Sequence, residues 1–275
     1  MFKKITSCVL SLFIIVTVFA CAGETDEPDN GSDITEETTN EPIIYDPTDS
    51  ATVDIEAPSE IVNISDGAPL VYALPAPNTD GEVSVESALA NRRSHRSFQD
   101  KALSQEQLSQ ILWSAYGVTL PRPASPAQRG GLRTAPSAGA LYPLEIYAII
   151  GNVDGIEPGV YKYDSGEHSI KQVIAGDVRA ELSAAALNQS MVREAPMSIF
   201  YSAIFNRTTD RYGERGVLYV YIEVGHSAQN VYLQVEAMGL GTCAIGAFTD
   251  DTVRELLNLP AEEEPLYLMP VGYIS

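Results

Sequence analysis

The stretch from Glu223 to Phe248, EVGHSAQNVYLQVEAMGLGTCAIGAF, constrains this chain more than any other. Val224, Ala228, Val231, Tyr232, Val235 and Met238 recur at helical spacing, so its first two-thirds predict one helix with an apolar face. The other side carries His226, Gln229, Asn230 and Gln234, polar but uncharged, with Glu223 and Glu236 as the only acids. A helix wetted along one side ordinarily shows more charge, so this one is expected to be largely covered, in a core or a subunit interface. Gly239-Leu240-Gly241 ends it, because glycine takes the left-handed conformation at a helix C-terminus without penalty. Thr242 to Phe248 predicts a short apolar strand whose glycine would let a ligand approach the backbone. The same features also describe ordinary buried structure, and two other stretches have to decide between the readings.

The chain in front of that domain reads differently. Residues 1–20 have the form of an export signal: Lys3 and Lys4, then an uncharged, mostly apolar run from Val9 to Ala20. That run is shorter than the roughly 20 residues a bilayer-spanning helix needs. Val18-Phe19-Ala20-Cys21 resembles a bacterial lipobox, which would make Cys21 the lipidated N-terminus; an ordinary secretory signal is the alternative. No twin-arginine pair is present, so export in an unfolded state is expected. Residues 21–82 predict an acidic, mostly disordered tether. Between Ala22 and Glu82 there are 16 Asp and Glu and no Lys or Arg, which accounts for most of the net charge of −20. Such a linker repels itself and extends, while its more apolar part, Ile61 to Leu74, could pack onto the domain. Cys8 lies in the signal and Cys243 stands alone, so the mature domain has no intramolecular disulfide to form.

Residues 83–275 are ample for one domain with a sizeable core. Arg92-Arg93-Ser94-His95-Arg96-Ser97-Phe98 concentrates three guanidinium forks and two hydroxyls, which suits phosphate oxygens as well as it suits a solvated basic turn. Nothing else in the chain extends the patch, which argues against nucleic acid. Ser104 with Gln107 three residues on predicts a capping box, opening a helix to about Tyr116. A loop rich in Pro, Gly and Arg follows, from Gly117 to Gly131. Thr134 to Pro143, TAPSAGALYP, places small residues between prolines and predicts a backbone that a flat or polar group can approach; a plain loop fits nearly as well. Leu144–Ile150 and Met197–Phe205 read as strands, and Gly159–Tyr163 with Ile170–Ile174 as a hairpin closed by Asp164-Ser165-Gly166-Glu167. Val83–Asn91, Val178–Asn188 and Thr252–Leu257 read as helices, Arg207–Arg215 as a polar loop and Leu266–Tyr273 as a last strand. Strands and helices mix without strict alternation, and no G-x-G-x-x-G follows a strand, so an α+β sheet is favoured over a Rossmann fold.

Taken together, RRSHRSF, TAPSAGALYPLE, RYGERG, EVGHSAQN and GLGTCAIGAF closely resemble the FMN-dependent nitroreductase superfamily, in particular its SagB-type, thiazole/oxazole dehydrogenase-like branch. The likeness covers roughly Ser84 to Tyr273. It implies a mixed, mainly antiparallel sheet flanked by helices, and a homodimer with a long central interface helix and FMN at the interface. Arg92, Arg93, Ser94 and Arg96 match the segment that holds the FMN phosphate. Pro136, Ser137, Ala138 and Gly139 match the loop beside the flavin ring and ribityl chain, and Ile245, Gly246 and Ala247 match the segment whose amides lie against the ring. Azoline dehydrogenases of this branch carry a Lys-Tyr pair where this chain has Arg211-Tyr212. Arginine stays protonated, so Arg211 could orient an anion or stabilise charge but not act as a base, while Tyr212 keeps an acid or base role open. Many relatives also bring a C-terminal Lys or Arg to the phosphate, which is absent after Tyr273.

The reading is therefore an exported, lipid-anchored FMN oxidoreductase working by ping-pong hydride or electron transfer, with no metal. Outside the cytoplasm NAD(P)H is scarce, so a membrane quinone or a reduced small-molecule or peptide-derived substrate is the expected electron partner. The alternatives are azoline oxidation on a modified peptide, or a lipoprotein that binds flavin or another ligand without turnover.

Overall fold

The computed structural model describes residues 69–122 and 129–275. The export signal, Cys21 and the tether as far as residue 68 lie outside the described residues. In chain order the elements are β1 (Val71–Ala73), α1 (Val85–Asn91), α2 (Gln105–Tyr116), β2 (Val118–Pro121) and β3 (Gly131–Arg133). A 3-10 turn (Ala138–Ala140), β4 (Leu144–Ile150), β5 (Gly159–Asp164), β6 (Ser169–Ala175), α3 (Arg179–Ala185) and α4 (Ser190–Glu194) come next. The chain continues through β7 (Met197–Ala203), α5 (Asn206–Tyr212), α6 (Arg215–Ala237), β8 (Leu240–Thr242), α7 (Asp250–Leu256) and β9 (Glu264–Tyr273).

Seven strands form one sheet in the order β1-β6-β5-β4-β7-β9-β8, and β2 pairs with β3 alone. Each named pair is antiparallel, and the parallel contributions among the described residues are two isolated bridges, Ser94 with Thr242 and Leu103 with Val153. Helices cover both faces, which explains why the central strands read as unbroken apolar runs. Along β4, Ile146, Ala148 and Ile150 join the core under α2 and α6, while Tyr147 and Ile149 join the core under α3, α4 and α7. Each of these isoleucines, fully buried, stabilises the fold by about 1.5–3 kcal/mol.

The capping box at Ser104 and Gln107 forms as the sequence predicts, and it starts α2. The central helix is longer than the 223–238 window. α6 extends back to Arg215, and its buried line runs through Val220, Val224, Ala228, Val231 and Val235. Its start is pinned by Gly216, where a Cβ would come within 2.9 Å of the Thr209 backbone, so α5 and α6 approach more closely than any side chain allows.

Folded structure also begins before Val83. β1 extends the sheet edge beside β6, Leu74 is buried and donates its N–H to the His168 carbonyl at 3.0 Å, and Asn78 is bonded both ways to Gln110. His168 fastens the same arm: one ring nitrogen lies 2.9 Å from the Pro75 carbonyl and 2.7 Å from Ser109 Oγ, the other 2.9 Å from Tyr163 Oη.

Candidate flavin and substrate site

The basic segment leaves α1 and runs beside β8. Ser94 bridges Thr242, the His95 N–H donates to the Thr242 carbonyl at 2.9 Å, and the Gln99 N–H donates to the Tyr273 carbonyl at 2.9 Å. Tyr232 on α6 joins three parts of the chain. Its hydroxyl lies 3.0 Å from Ser94 Oγ and accepts from the Ala244 N–H at 2.8 Å, while the Arg92 guanidinium lies over its ring at 5.1 Å. Ser94 and Arg92 are thereby held next to the segment that carries Ile245, Gly246 and Ala247.

Within that segment Ile245 is anchored to Leu268 by two backbone hydrogen bonds, and Gln189 donates to the Ala247 carbonyl at 3.1 Å. Gly246 and Ala247 are exposed, and among the described residues their N–H groups have no acceptor in the chain. A Cβ on Gly246 would meet nothing closer than the Tyr267 ring at 3.7 Å, so that face is open. Arg93 turns back, donating to the Ala90 and Arg92 carbonyls at 3.0 and 2.9 Å. Arg92 and Arg96 make no side-chain hydrogen bond to the described residues and keep their forks free. Cys243, buried below, has its thiol pushed up by desolvation, with the charge of Arg96 opposing.

The second group forms around residues 136–143. Ser137 Oγ accepts from the Tyr142 N–H at 2.9 Å and closes the loop on itself. Gly139 has φ +62°, and a Cβ there would stand 2.7 Å from Tyr212 Oη and 2.8 Å from Arg211 Nη1. The end of α5 therefore lies against this loop, so two motifs about seventy residues apart in the sequence meet. Tyr212 packs edge-on to Tyr219 with ring centres 5.2 Å apart. Asn230 of α6 donates to the Thr134 carbonyl at 3.1 Å and positions the start of the loop.

Beneath the loop is a buried polar group that the sequence does not announce. Glu223 is 3% exposed and accepts from the Tyr116 hydroxyl. Burial pushes its carboxyl up to about 7, although the Ser137 and Tyr116 hydroxyls and the Arg133 charge all favour the ionised form. Arg133 lies over the rings of Tyr116 and Tyr142 at 4.3 and 4.7 Å.

No hydrogen bond among the described residues joins the Arg92–Arg96 and Ile245–Ala247 group to the Pro136–Gly139 and Arg211–Tyr212 group. α6 carries both. Tyr232 serves the first and Asn230 the second; two residues apart, they point to nearly opposite sides of the helix.

Thr242–Phe248 is not the strand the sequence predicts: β8 stops at Thr242, and beyond it only Ile245 makes an isolated bridge to Leu268, so Gly246 and Ala247 lie in an open segment. An α+β sheet covered on both faces, with a basic turn docked beside that open glycine segment, defines the class of redox enzyme that the motifs resemble. The chain belongs to the nitroreductase family, whose model matches residues 89–273. It is 47% identical over 191 residues to a protein of Methanocaldococcus jannaschii named as a nitroreductase, MJ1384, covering 70% of this chain and 91% of that one. It is 26% identical over 141 residues to the microcin B17-processing protein McbC of Escherichia coli, covering 50% of this chain and 52% of McbC. Among solved structures, a nitroreductase-type protein of Ralstonia eutropha superposes with a TM-score of 0.61 at 27% identity, covering 74% of this chain and 90% of the other. The chain is a nitroreductase-family oxidoreductase related to microcin- and trifolitoxin-processing proteins of the SagB-like branch.

Proposed function

We propose that this chain is an FMN-dependent oxidoreductase, exported, lipid-anchored through Cys21 and active as a homodimer. The observation that carries the reading is the Tyr232 junction, which sets free guanidinium forks beside unpaired backbone donors on an open segment. Those donors fit the group. Arg92 and Arg96, with Ser94, suit a phosphate dianion, and the Gly246 and Ala247 N–H groups suit the polar edge of a flat ring. When bound, FMN supplies the two-electron chemistry, and the chain supplies its binding, orientation and surrounding charge.

Arg211 and Tyr212, exposed and half-buried beside Gly139, are placed to receive the second reactant. Arg211 remains charged and orients an anionic group, while Tyr212 can give or take a proton through Oη. Val217, Leu218, Tyr221 and Ile222 form an exposed apolar line on α6, between 39% and 54% accessible, which supports burial of that face against a second copy. Pairing would also let the Pro136–Gly139 loop of one copy complete the Arg92 site of the other, since within one chain the two groups are not bonded.

Because an exported enzyme meets little NAD(P)H, the electron donor is a membrane quinol or a reduced organic substrate. Anaerobic titration of the flavin-loaded full chain tests this. Bleaching by dithionite but not by NADH or NADPH is expected, and rapid bleaching by either nucleotide overturns the donor assignment.

A second reading, oxidation of azoline rings on a modified peptide, is favoured by the likeness to McbC and by the position of Arg211-Tyr212 against the loop. Arginine in place of lysine removes a base from that pair, and for this reason it stands second. A flavin that binds but is never turned over by any reductant and acceptor would instead favour a non-catalytic ligand-binding lipoprotein.

A further inference from the structure

A cleft of about 260 Å³ opens among β4, β5, β6 and the start of α5, with Tyr116 and Arg133 in its wall. Five cations line it, Arg129, Arg133, Lys162, Lys171 and Arg207, against two carboxylates, Glu145 and Asp164. The carboxylates are already committed. Glu145 pairs with Arg207 and, at 3.1 Å, with Lys162, which continues to Glu263 at 2.7 Å. Burial would raise the Glu145 carboxyl, but Arg207 and Lys162 outweigh it and hold it below the usual range, so it stays an anion spoken for by those two cations. Asp164 accepts from the Gly166 and Glu167 N–H groups and closes the hairpin turn.

Arg129, Arg133 and Lys171 therefore face the cleft with no carboxylate within salt-bridge distance among the described residues. Arg133 is the informative one. Its guanidinium lies over two tyrosine rings that stand nearly perpendicular to each other, and its Nε–H is buried with no hydrogen-bond partner among the described residues. Buried donors are almost always satisfied, so an orphan at the wall of a cationic cavity points to an acceptor that belongs there. A guanidinium held between two aromatic rings presents donors that match the paired oxygens of a carboxylate or phosphate.

We propose that this cleft binds a small oxyanion, the carboxylate or phosphate group of a small molecule, on Arg133 with Arg129 and Lys171. The site is separate from the Arg92–Arg96 cluster. It is nevertheless coupled to the loop at residues 136–143, because Arg207 in its wall also donates to the Tyr142 carbonyl at 3.3 Å.

Isothermal titration of the flavin-loaded full chain with inorganic phosphate, and separately with succinate, tests this at ionic strength held constant with chloride. One of the two should saturate a single site, identifying the anion as phosphate or carboxylate. Arg133→Leu should then weaken it by roughly ten-fold or more, the usual cost of losing a charge-assisted hydrogen bond. Should that variant misfold by circular dichroism, Arg129→Ala with Lys171→Ala, both exposed positions, carries the same expectation. Repeating the experiment in Arg92→Ala/Arg96→Ala, titrated without flavin, separates the two sites: binding must survive there. No saturable binding beyond chloride, affinity unchanged in the Arg133 or Arg129/Lys171 variants, or binding lost in Arg92→Ala/Arg96→Ala would each overturn the proposal.

Discussion

Glu223→Gln should change how stability depends on pH, and by an amount the structure sets. The side chain is 3% exposed, and desolvation lifts its carboxyl from 4.5 to about 7. A carboxyl with a folded pKa above its unfolded one favours the fold only while protonated. Its contribution is intact below pH 4.5, shrinks as the unfolded chain begins to ionise, and is lost as pH rises through about 7. That gap is worth about 3 kcal/mol. The amide keeps an acceptor for the Tyr116 hydroxyl and cannot ionise, so the variant escapes the penalty. Urea unfolding of both proteins at fixed ionic strength should therefore show the variant gaining about 3 kcal/mol over wild type between pH 4 and pH 8. Taking the difference cancels every other titrating group. Parallel pH profiles would refute the claim that Glu223 is held by burial rather than by its hydrogen bonds.

Other consequences follow from the same geometry. Gly139→Ala places a Cβ against Tyr212 and Arg211 at φ +62°, so it should displace both side chains and destabilise by about 1–2 kcal/mol, read by thermal unfolding. Ser104→Ala removes the acceptor for the Gln107 N–H in the capping box and should cost about 1 kcal/mol by urea titration. Truncation to residues 83–275 strips β1 from the sheet edge and leaves Gln110 and His168 without their arm partners, so it should melt earlier than the full chain.

The parts of the fold that depend on local chemistry were legible in the sequence. Leu144–Ile150 forms β4 with the bounds its apolar run implies, the β5–β6 hairpin closes on Asp164, and Ser104 caps α2. What was not legible depends on distant partners. Arg207–Arg215 reads as a polar loop because it has no apolar periodicity, yet Asn206–Tyr212 is helical where Gly216 lets α6 pack against it. Val71–Ala73 is too short to signal a strand until β6 offers it an edge. The prolines and glycines of Gly117–Gly131 conceal the β2–β3 pair, whose second strand runs on to Arg133.

The site divides in the same way. Arg92, Ser94 and Gly246 stand out by composition. Tyr232 is counted with the apolar face of its helix, and only the fold shows its hydroxyl tying Ser94 to Ala244. Glu223 reads with the polar side of its helix, and only the fold shows it buried against Tyr116. Tyr116 and Arg133 had none, because their roles come from stacking across elements.

The most direct test of the account is the flavin content of the full chain, purified as wild type and as Arg92→Ala/Arg96→Ala. Acid release followed by chromatography should yield one FMN per wild-type chain. In the variant, losing two charge-assisted contacts should weaken retention by roughly a hundred-fold or more and leave the protein nearly colourless. A wild-type protein that is flavin-free and takes up no added FMN, or a variant that keeps its full complement, would contradict it.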